Sequence, residues 1–138
     1  MPNGIDLILE DHATVNELFT KFDETGDATL IGQVIDSLKT HDDAEQAALY
    51  PFTGNLLGDA DMIERSAQAH SAVKKQIDLI ATLEGGPLVD AFAELRRLVD
   101  THVADEQDNI LPALAEVASP QQLDELGARI LQAKQRGG

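Results

Sequence analysis

Apolar residues recur at steps of three and four along most of this chain, and that spacing is typical of amphipathic helices. The first run predicts a helix over residues 4–22, followed by a loop at 23–28. Further runs extend over 30–49, 62–80 and 88–110, and no segment alternates apolar and polar residues long enough to predict a strand. Because the connections are short, we predict an all-α fold: an antiparallel up-down-up-down four-helix bundle.

Turn and capping residues separate these runs. Asp59 is a plausible N-cap for the third helix, and Glu84–Pro87 is a strong stop and restart signal before the fourth. Pro51 and Gly54 are expected to disturb the second helix near its end, because proline cannot donate a backbone hydrogen bond. Pro112 is expected to kink or end the fourth helix in the same way.

A fifth helix is predicted after the bundle. Ser119-Pro120 is a start signal, so we place a short C-terminal helix at about 120–134 and a frayed tail at 134–138. The bundle itself should occupy about residues 4–117. The length of 138 residues suits one domain, which we therefore assign to 1–138.

Composition narrows the possible functions. The chain has no cysteine, which excludes disulfides, thiolate metal sites and cysteine nucleophiles. Its net charge of −15 should repel phosphate backbones and anionic lipids, so we expect neither nucleic-acid nor membrane binding. We see no secretory signal at the N-terminus and no apolar stretch near the roughly 20 residues that span a bilayer. The expected location is therefore the cytoplasm, as a monomer or small oligomer.

The chain contains an internal repeat. The pattern T-H-x-x-x-E-Q occurs at Thr40–Gln46 and again at Thr101–Gln107. A proline follows each motif histidine at the same distance, as Pro51 and Pro112, and another histidine lies on the preceding helix each time. The protein is thus predicted to consist of two helix pairs that face each other about a pseudo-two-fold axis.

The repeated residues suit a metal site. Residues four apart share one helix face, so each motif directs a histidine and a glutamate together into the bundle interior. Ionised carboxylates are very costly in a core unless they meet cations or metal, and no Lys or Arg lies clearly on these faces. Inward carboxylates and histidines are the layout of di-iron sites in four-helix bundles. The predicted metal ligands are His12, His41, Glu45, His70, His102 and Glu106.

Specific roles follow from this arrangement. Two carboxylates could bridge two metals, with His12 and His41 on one ion and His70 and His102 on the other. Tyr50 is a further candidate ligand, although a spacing of five from Glu45 requires the helix to distort. An ordinary core role for Tyr50 stays open. One nearby aspartate could hydrogen-bond a ligand imidazole; the candidates are Asp42, Asp43, Asp105 and Asp108.

These residues resemble the hemerythrin-like family, also called HHE cation-binding domains, from Asp11 through Pro112. The resemblance implies two non-haem iron ions with two bridging carboxylates, joined by an oxo or hydroxo bridge. Oxygen-carrying members have a fifth histidine one turn after the position of His70, where this chain has Lys74. They also use an aspartate at longer spacing in the second motif.

That departure favours one function over others. A site richer in anionic oxygen donors stabilises ferric iron, so we predict a small-molecule partner and an oxidoreductase that decomposes hydrogen peroxide, as a catalase or peroxidase does. The alternatives are a reversible O2 or NO binding module and an iron sensor. Mn, Zn or Co would also suit the donors.

Overall fold

The computed structural model describes residues 2–137, which form helices joined by short turns without a strand. Two five-residue π-helical turns, Glu45–Leu49 and Glu106–Ile110, continue helices rather than end them. The predicted helical bundle with a C-terminal helix is confirmed. Within the described range, no helix is both long and apolar enough to cross a membrane. In chain order the helices are α1 (Gly4–Thr25), α2 (Thr29–Ala44), α3 (Tyr50–Leu57), α4 (Ala60–Ile80), α5 (Gly85–Asp105), α6 (Leu111–Val117) and α7 (Pro120–Gly137).

Local capping explains where α1 and α4 begin and where α1 ends. The Asn3 side chain accepts a hydrogen bond from the Ile5 amide at 2.8 Å and caps α1. That helix ends at Gly26, whose φ of +66° lies in the left-handed region that glycine adopts without strain. Asp59 caps α4 as predicted, accepting from the Met62 amide at 3.1 Å.

The bundle interior has a polar layer between two apolar layers. Along α1, Ile8 lies in one apolar cluster and Val15 in the other, with His12 between them. Along α2 the order is reversed, from Leu38 in the cluster of Val15 to Ala44 in the cluster of Ile8. The order alternates again in α4 and α5, which shows that successive helices run antiparallel. The apolar layers flank the histidine and glutamate level and keep it away from bulk water.

The prolines do not end the helices, contrary to one of the predicted outcomes. A proline ring in an α-helix clashes with the carbonyl four residues earlier. The π turn before Pro51 is wider than an α-helical turn and avoids this clash. In it, the Tyr50 amide donates to the Glu45 carbonyl, which lies five residues back. The same turn occurs before Pro112. Helices α2 and α5 therefore continue through their π turns into α3 and α6. Each π turn begins at a glutamate of the repeat. Single π turns often occur at functional sites.

Helix α7 packs along α1 and α2 rather than trailing from the bundle. Ser119 caps it, accepting from the Gln122 amide at 3.1 Å, while the Gln122 side chain accepts from the Ser119 amide at 2.8 Å. Gly127 lies against the backbone of Pro2, where a Cβ atom would overlap the Pro2 carbonyl oxygen. This close approach holds α7 on the N-terminal end of α1.

The predicted frayed tail at 134–138 is wrong for Lys134–Gly137, which are helical, while Gly138 lies outside the described residues. The helix is thus longer than the predicted 120–134. The Lys134 ammonium lies 2.6 Å from the Asp11 carboxylate of α1, and this ion pair gives the last turn a tertiary partner.

Candidate metal centre

All six predicted histidine and glutamate side chains lie in the polar layer, and each is at most 7% exposed. Helix α1 brings one histidine, α2 and its π turn bring a histidine and a glutamate, α4 brings one histidine, and α5 and its π turn bring the last pair. The internal repeat therefore converges on one level of the bundle. The residues are His12, His41, Glu45, His70, His102 and Glu106.

These six residues form two groups of potential donor atoms. The first combines His12 and His41 with both glutamates, and the second combines His70 and His102 with the same two glutamates. Within each group one donor atom from every residue lies within 4.8 Å of all the others. Glu45 belongs to both groups, as does Glu106. Histidine and carboxylate clusters of this kind are able to hold metal ions.

All four imidazoles point their Nε2 atoms at the glutamates. His70 Nε2 and Glu45 Oε1 are 3.0 Å apart, and His102 Nε2 lies 3.4 Å from Glu106 Oε2. The other two separations are 3.0 Å from His12 Nε2 to Glu106 Oε1 and 3.1 Å from His41 Nε2 to Glu45 Oε1. The potential donor atoms of all four rings thus face the centre of the layer.

Two imidazoles are oriented by outer partners that sequence reasoning missed. His41 Nδ1–H donates to Asp11 Oδ2 at 2.8 Å, and His12 Nδ1–H donates to Gln107 Oε1 at 2.9 Å. A proton on Nδ1 leaves Nε2 with its lone pair for a metal, so these bonds select the coordinating tautomer. The sequence does hold a signal for both residues, because Gln107 belongs to the repeated motif and Asp11 adjoins His12.

The aspartates that were predicted as outer partners contribute less. Asp42 Oδ1 lies 3.5 Å from His70 Nδ1, and that nitrogen makes no hydrogen bond among the described residues. Burial raises the pKa of Asp42 to about 6, although the neighbouring His70 opposes the shift. Asp43 and Asp108 are exposed, and Asp105 accepts instead from the surface side chain of Asn109.

The donor set fits cations better than it fits hydrogen bonding alone. Glu45 Oε1 has the Nε2 atoms of His41 and His70 within 3.1 Å, yet the described residues give His41 Nε2 no hydrogen bond. A neutral imidazole that donates through Nδ1 turns its Nε2 lone pair toward the carboxylate, which is repulsive unless a proton or a metal lies between them. Glu45 Oε2 and His102 Nδ1 are also buried without a partner in this range. Orphaned polar atoms are rare in protein interiors and are typical of ion sites.

Charge explains how the same residues pair in the absence of metal. Burial alone would lower the pKa of His41, but the carboxylates of Glu45 and Asp11 outweigh burial and raise it well above its usual range. Burial also opposes protonation of His102, whose pKa the two glutamates nevertheless raise to about 10. Burial would raise the pKa of Glu45, but the imidazoles, His41 first, hold it well below its usual range. In the metal-free layer His41 and His102 are therefore imidazolium cations at neutral pH, and they lie against the Glu45 carboxylate.

Tyr50 is buried among the donor atoms of the second group. Its Oη is 2.6 Å from His70 Nε2 and donates to Glu106 Oε2 at 3.0 Å. The π turn between Glu45 and Tyr50 supplies the helix distortion that the spacing of five required. Burial and the Glu45 carboxylate raise the pKa of Tyr50, so its phenol is neutral in the metal-free protein. Its counterpart in the repeat, Leu111, is an apolar core residue, so only one half of the layer has a phenol.

Comparison with known proteins identifies the family. Residues 3–114 match the profile of the hemerythrin HHE cation binding domain. The chain belongs to this family. The fold agrees with the crystal structure of a hemerythrin HHE cation binding domain-containing protein from Mycobacterium kansasii, which it matches with a TM-score of 0.82 at 19% identity over 99% of this chain and 90% of that one.

A second relative has a different description. In an alignment of 137 positions that covers 95% of this chain, the chain is 27% identical to a protein described as a DNA nickase from Nostoc sp.. The match covers 39% of that protein, so this HHE domain spans less than half the length of the relative.

Surface clefts lead toward both donor groups of the HHE domain. A cleft of about 580 Å³ between α2 and α4 has Tyr50 and His70 among its lining residues, together with Lys39 and Lys74. A cleft of about 360 Å³ between α1 and α5 reaches His12. Lys74 is exposed in the wall of the first cleft. Each donor group therefore has its own approach from solvent.

Proposed function

We propose that this domain holds two non-haem iron ions and reacts with hydrogen peroxide. The observation that carries the proposal is the pair of donor groups that share both buried glutamates, with the Tyr50 hydroxyl beside one of them. In this proposal His12 and His41 hold one iron, His70 and His102 hold the other, and both glutamates serve the two ions. Tyr50 is the candidate seventh ligand.

The donor chemistry favours peroxide over storage of O2. Two carboxylates are hard, anionic oxygen donors, and Tyr50 would add a third if it bound as a phenolate; such donors favour ferric over ferrous iron. When bound, two irons would supply a Lewis acid and a two-electron redox pair. In the metal-free protein Tyr50 holds a proton at Oη and donates it to Glu106 in a hydrogen bond, so a Tyr50 that does not bind iron would be placed to give a proton near His70. The cleft between α2 and α4 is wide enough to admit a small neutral molecule to this phenol.

The first test is metal content and peroxide turnover of the purified protein. We expect about two irons per chain, and O2 evolution on addition of hydrogen peroxide, measured with an oxygen electrode. Replacement of His70 with alanine should remove an iron ligand and abolish turnover while the helical circular dichroism is kept. The matched control is Lys75→Ala on the exposed face of the same helix, which should behave as the wild type. Undiminished turnover in His70→Ala would overturn the peroxide proposal.

Other outcomes distinguish the alternatives. Two irons without turnover, but with a stable spectrum on adding O2 or NO to the reduced protein, would favour a reversible binding module. A protein that binds iron without either reaction and is degraded or melts when the iron is removed would favour an iron sensor. The Tyr50→Phe variant separates ligand from core roles, since loss of a visible phenolate–Fe(III) band would identify Tyr50 as a ligand.

Metal binding should release protons. In the metal-free protein His41 and His102 are protonated at neutral pH, because their pKa values are raised. A metal requires the unprotonated nitrogen, so each of these two rings must lose a proton. The raised pKa of His102 stabilises the folded, metal-free protein. This contribution is complete below about pH 6.5 and is lost as the pH rises through about 10. We therefore expect metal affinity to rise from pH 6 to pH 8, with at least these two protons released per chain. Calorimetry in buffers of different ionisation enthalpy measures this number, and pH-independent binding without proton release would contradict it.

The activity in the name of the Nostoc relative is not proposed for this domain. That relative is more than twice as long, and this chain has a net charge of −15, which repels a DNA backbone. The buried carboxylates and histidines favour a small molecule as the reacting partner.

A further inference from the structure

We propose that Lys134 of α7 is a positioning residue that holds Asp11 against His41 and so secures the metal of the His12/His41 group. The inference rests on the proposed function, because it takes His41 as a metal ligand. Lys134 lies 123 residues from Asp11 in the sequence, on a helix beyond the family match, which ends at residue 114.

The geometry is a chain of three side chains. Lys134 Nζ donates to Asp11 Oδ1 at 2.6 Å, and the other oxygen, Asp11 Oδ2, accepts from His41 Nδ1 at 2.8 Å. The Asp11 carboxylate is thus held at both oxygens.

The lysine is required because Asp11 is not enclosed by the core. The side chain of Asp11 is 22% exposed and that of Lys134 is 24% exposed. Without the ammonium, the carboxylate is free to turn toward water and to leave the His41 Nδ1–H without its acceptor. The imidazole would then rotate more freely, and a ligand with an unfixed ring binds metal less tightly.

Lys134 also borders the groove that leads to His41. This groove, of about 270 Å³ between α1 and α2, is lined by Asp11, Thr40, His41 and Lys134. His41 is only 6% exposed with the lysine in place. Loss of the ion pair would widen the solvent path to this ligand.

The other donor group has no such device among the described residues. His70 has Asp42 at 3.5 Å, without a hydrogen bond, and His102 Nδ1 makes no hydrogen bond. His12 is oriented by the neutral amide of Gln107. Lys134 should therefore affect the metal of the His12/His41 group selectively, although a general loosening of α7 would affect both metals.

The test compares Lys134→Met with Lys134→Arg. Arg129→Met is the matched control, because Arg129 is an exposed cation of the same helix whose ion pair, within residues 2–137, is with Glu125. Metal release to a chelator is followed with time. In Lys134→Met we expect one of the two metals to leave about 10-fold faster, while the second leaves at the wild-type rate. Lys134→Arg should release both metals at the slow wild-type rate, and so should Arg129→Met. Equal acceleration of both metals, or no acceleration, would overturn the inference.

A second readout does not depend on iron. Nuclear magnetic resonance of 15N-histidine-labelled, metal-free protein reports exchange of the His41 Nδ1 proton with water. We expect faster exchange in Lys134→Met than in Lys134→Arg. Asp11→Asn, which keeps an acceptor oxygen but removes the attraction to Lys134, should also speed exchange. If exchange is unchanged in both Lys134→Met and Asp11→Asn, the positioning role is rejected. If the variants show the expected exchange rates but the wild-type protein binds no metal, only the proposed function is rejected.

Discussion

Replacement of Glu45 by glutamine is expected to abolish binding of both metal ions. Glu45 belongs to both donor groups, and its carboxylate lies within 3.1 Å of the Nε2 atoms of His41 and His70. Glutamine has the same shape but carries no charge, and it offers one acceptor oxygen where the carboxylate offers two. Loss of a supporting partner typically costs 10- to 100-fold in metal affinity, so loss of a shared charged ligand should cost more than about 100-fold. Metal analysis after dialysis measures the effect.

Two controls make this result specific. Glu17→Gln removes the same charge from the exposed face of α1, where the glutamate side chain is 69% exposed, and should leave the metal content unchanged. His12→Ala removes a residue of the first group only, so it should affect one metal before the other. If Glu45→Gln retains two metals with wild-type affinity, the glutamate is not a shared ligand and the proposed centre is wrong.

Removal of the metals is expected to lower the melting temperature by about 10–15 °C without unfolding the protein. A ligand at about 1,000 times its dissociation constant stabilises the folded state by about 4 kcal/mol, and a domain of this size shifts by roughly 3–4 °C per kcal/mol. The metal-free protein should stay helical at room temperature, because the imidazolium–carboxylate pairs of the polar layer partly replace the metals and the two apolar layers are unaffected.

Differential scanning calorimetry before and after chelation, with iron content measured on the same samples, tests this expectation. Addition of iron should restore the original melting temperature. Glu45→Gln is the matched variant, since a protein that holds no metal should melt at the same temperature with or without chelator. A wild-type protein that loses its metal without any change in melting temperature would show that the ions do not stabilise the fold.

The six histidine and glutamate residues could be found from the sequence because their geometry is local. Spacings of three and four residues determine which side chains share a helix face, and His41 and Glu45 satisfy that rule within one turn. The repeat of the motif at His102 then indicated a second, equivalent face. Antiparallel packing follows from short connections, so the faces had to meet in the interior.

The status of Tyr50 depended on a backbone feature that sequence patterns do not specify. A regular α-helix would turn residue 50 away from the side chain of Glu45. The π turn brings it back, and its cause is steric, because Pro51 cannot follow an ordinary α-helical turn without a clash. The proline was visible in the sequence, but only the structure showed that the helix widens before it and continues as α3.

By itself the sequence determined the helices, their order, the polar layer and the histidine and glutamate set, since all of these follow from periodicity and burial of charge. Only the tertiary structure decided which outer side chains orient the imidazoles. Asp11, Gln107 and Lys134 reach the site from positions 30, 95 and 123 residues away from their hydrogen-bond partners. Contacts between residues so far apart in the chain depend on how each helix is rotated about its own axis and on where α7 packs. No local sequence pattern encodes either of these.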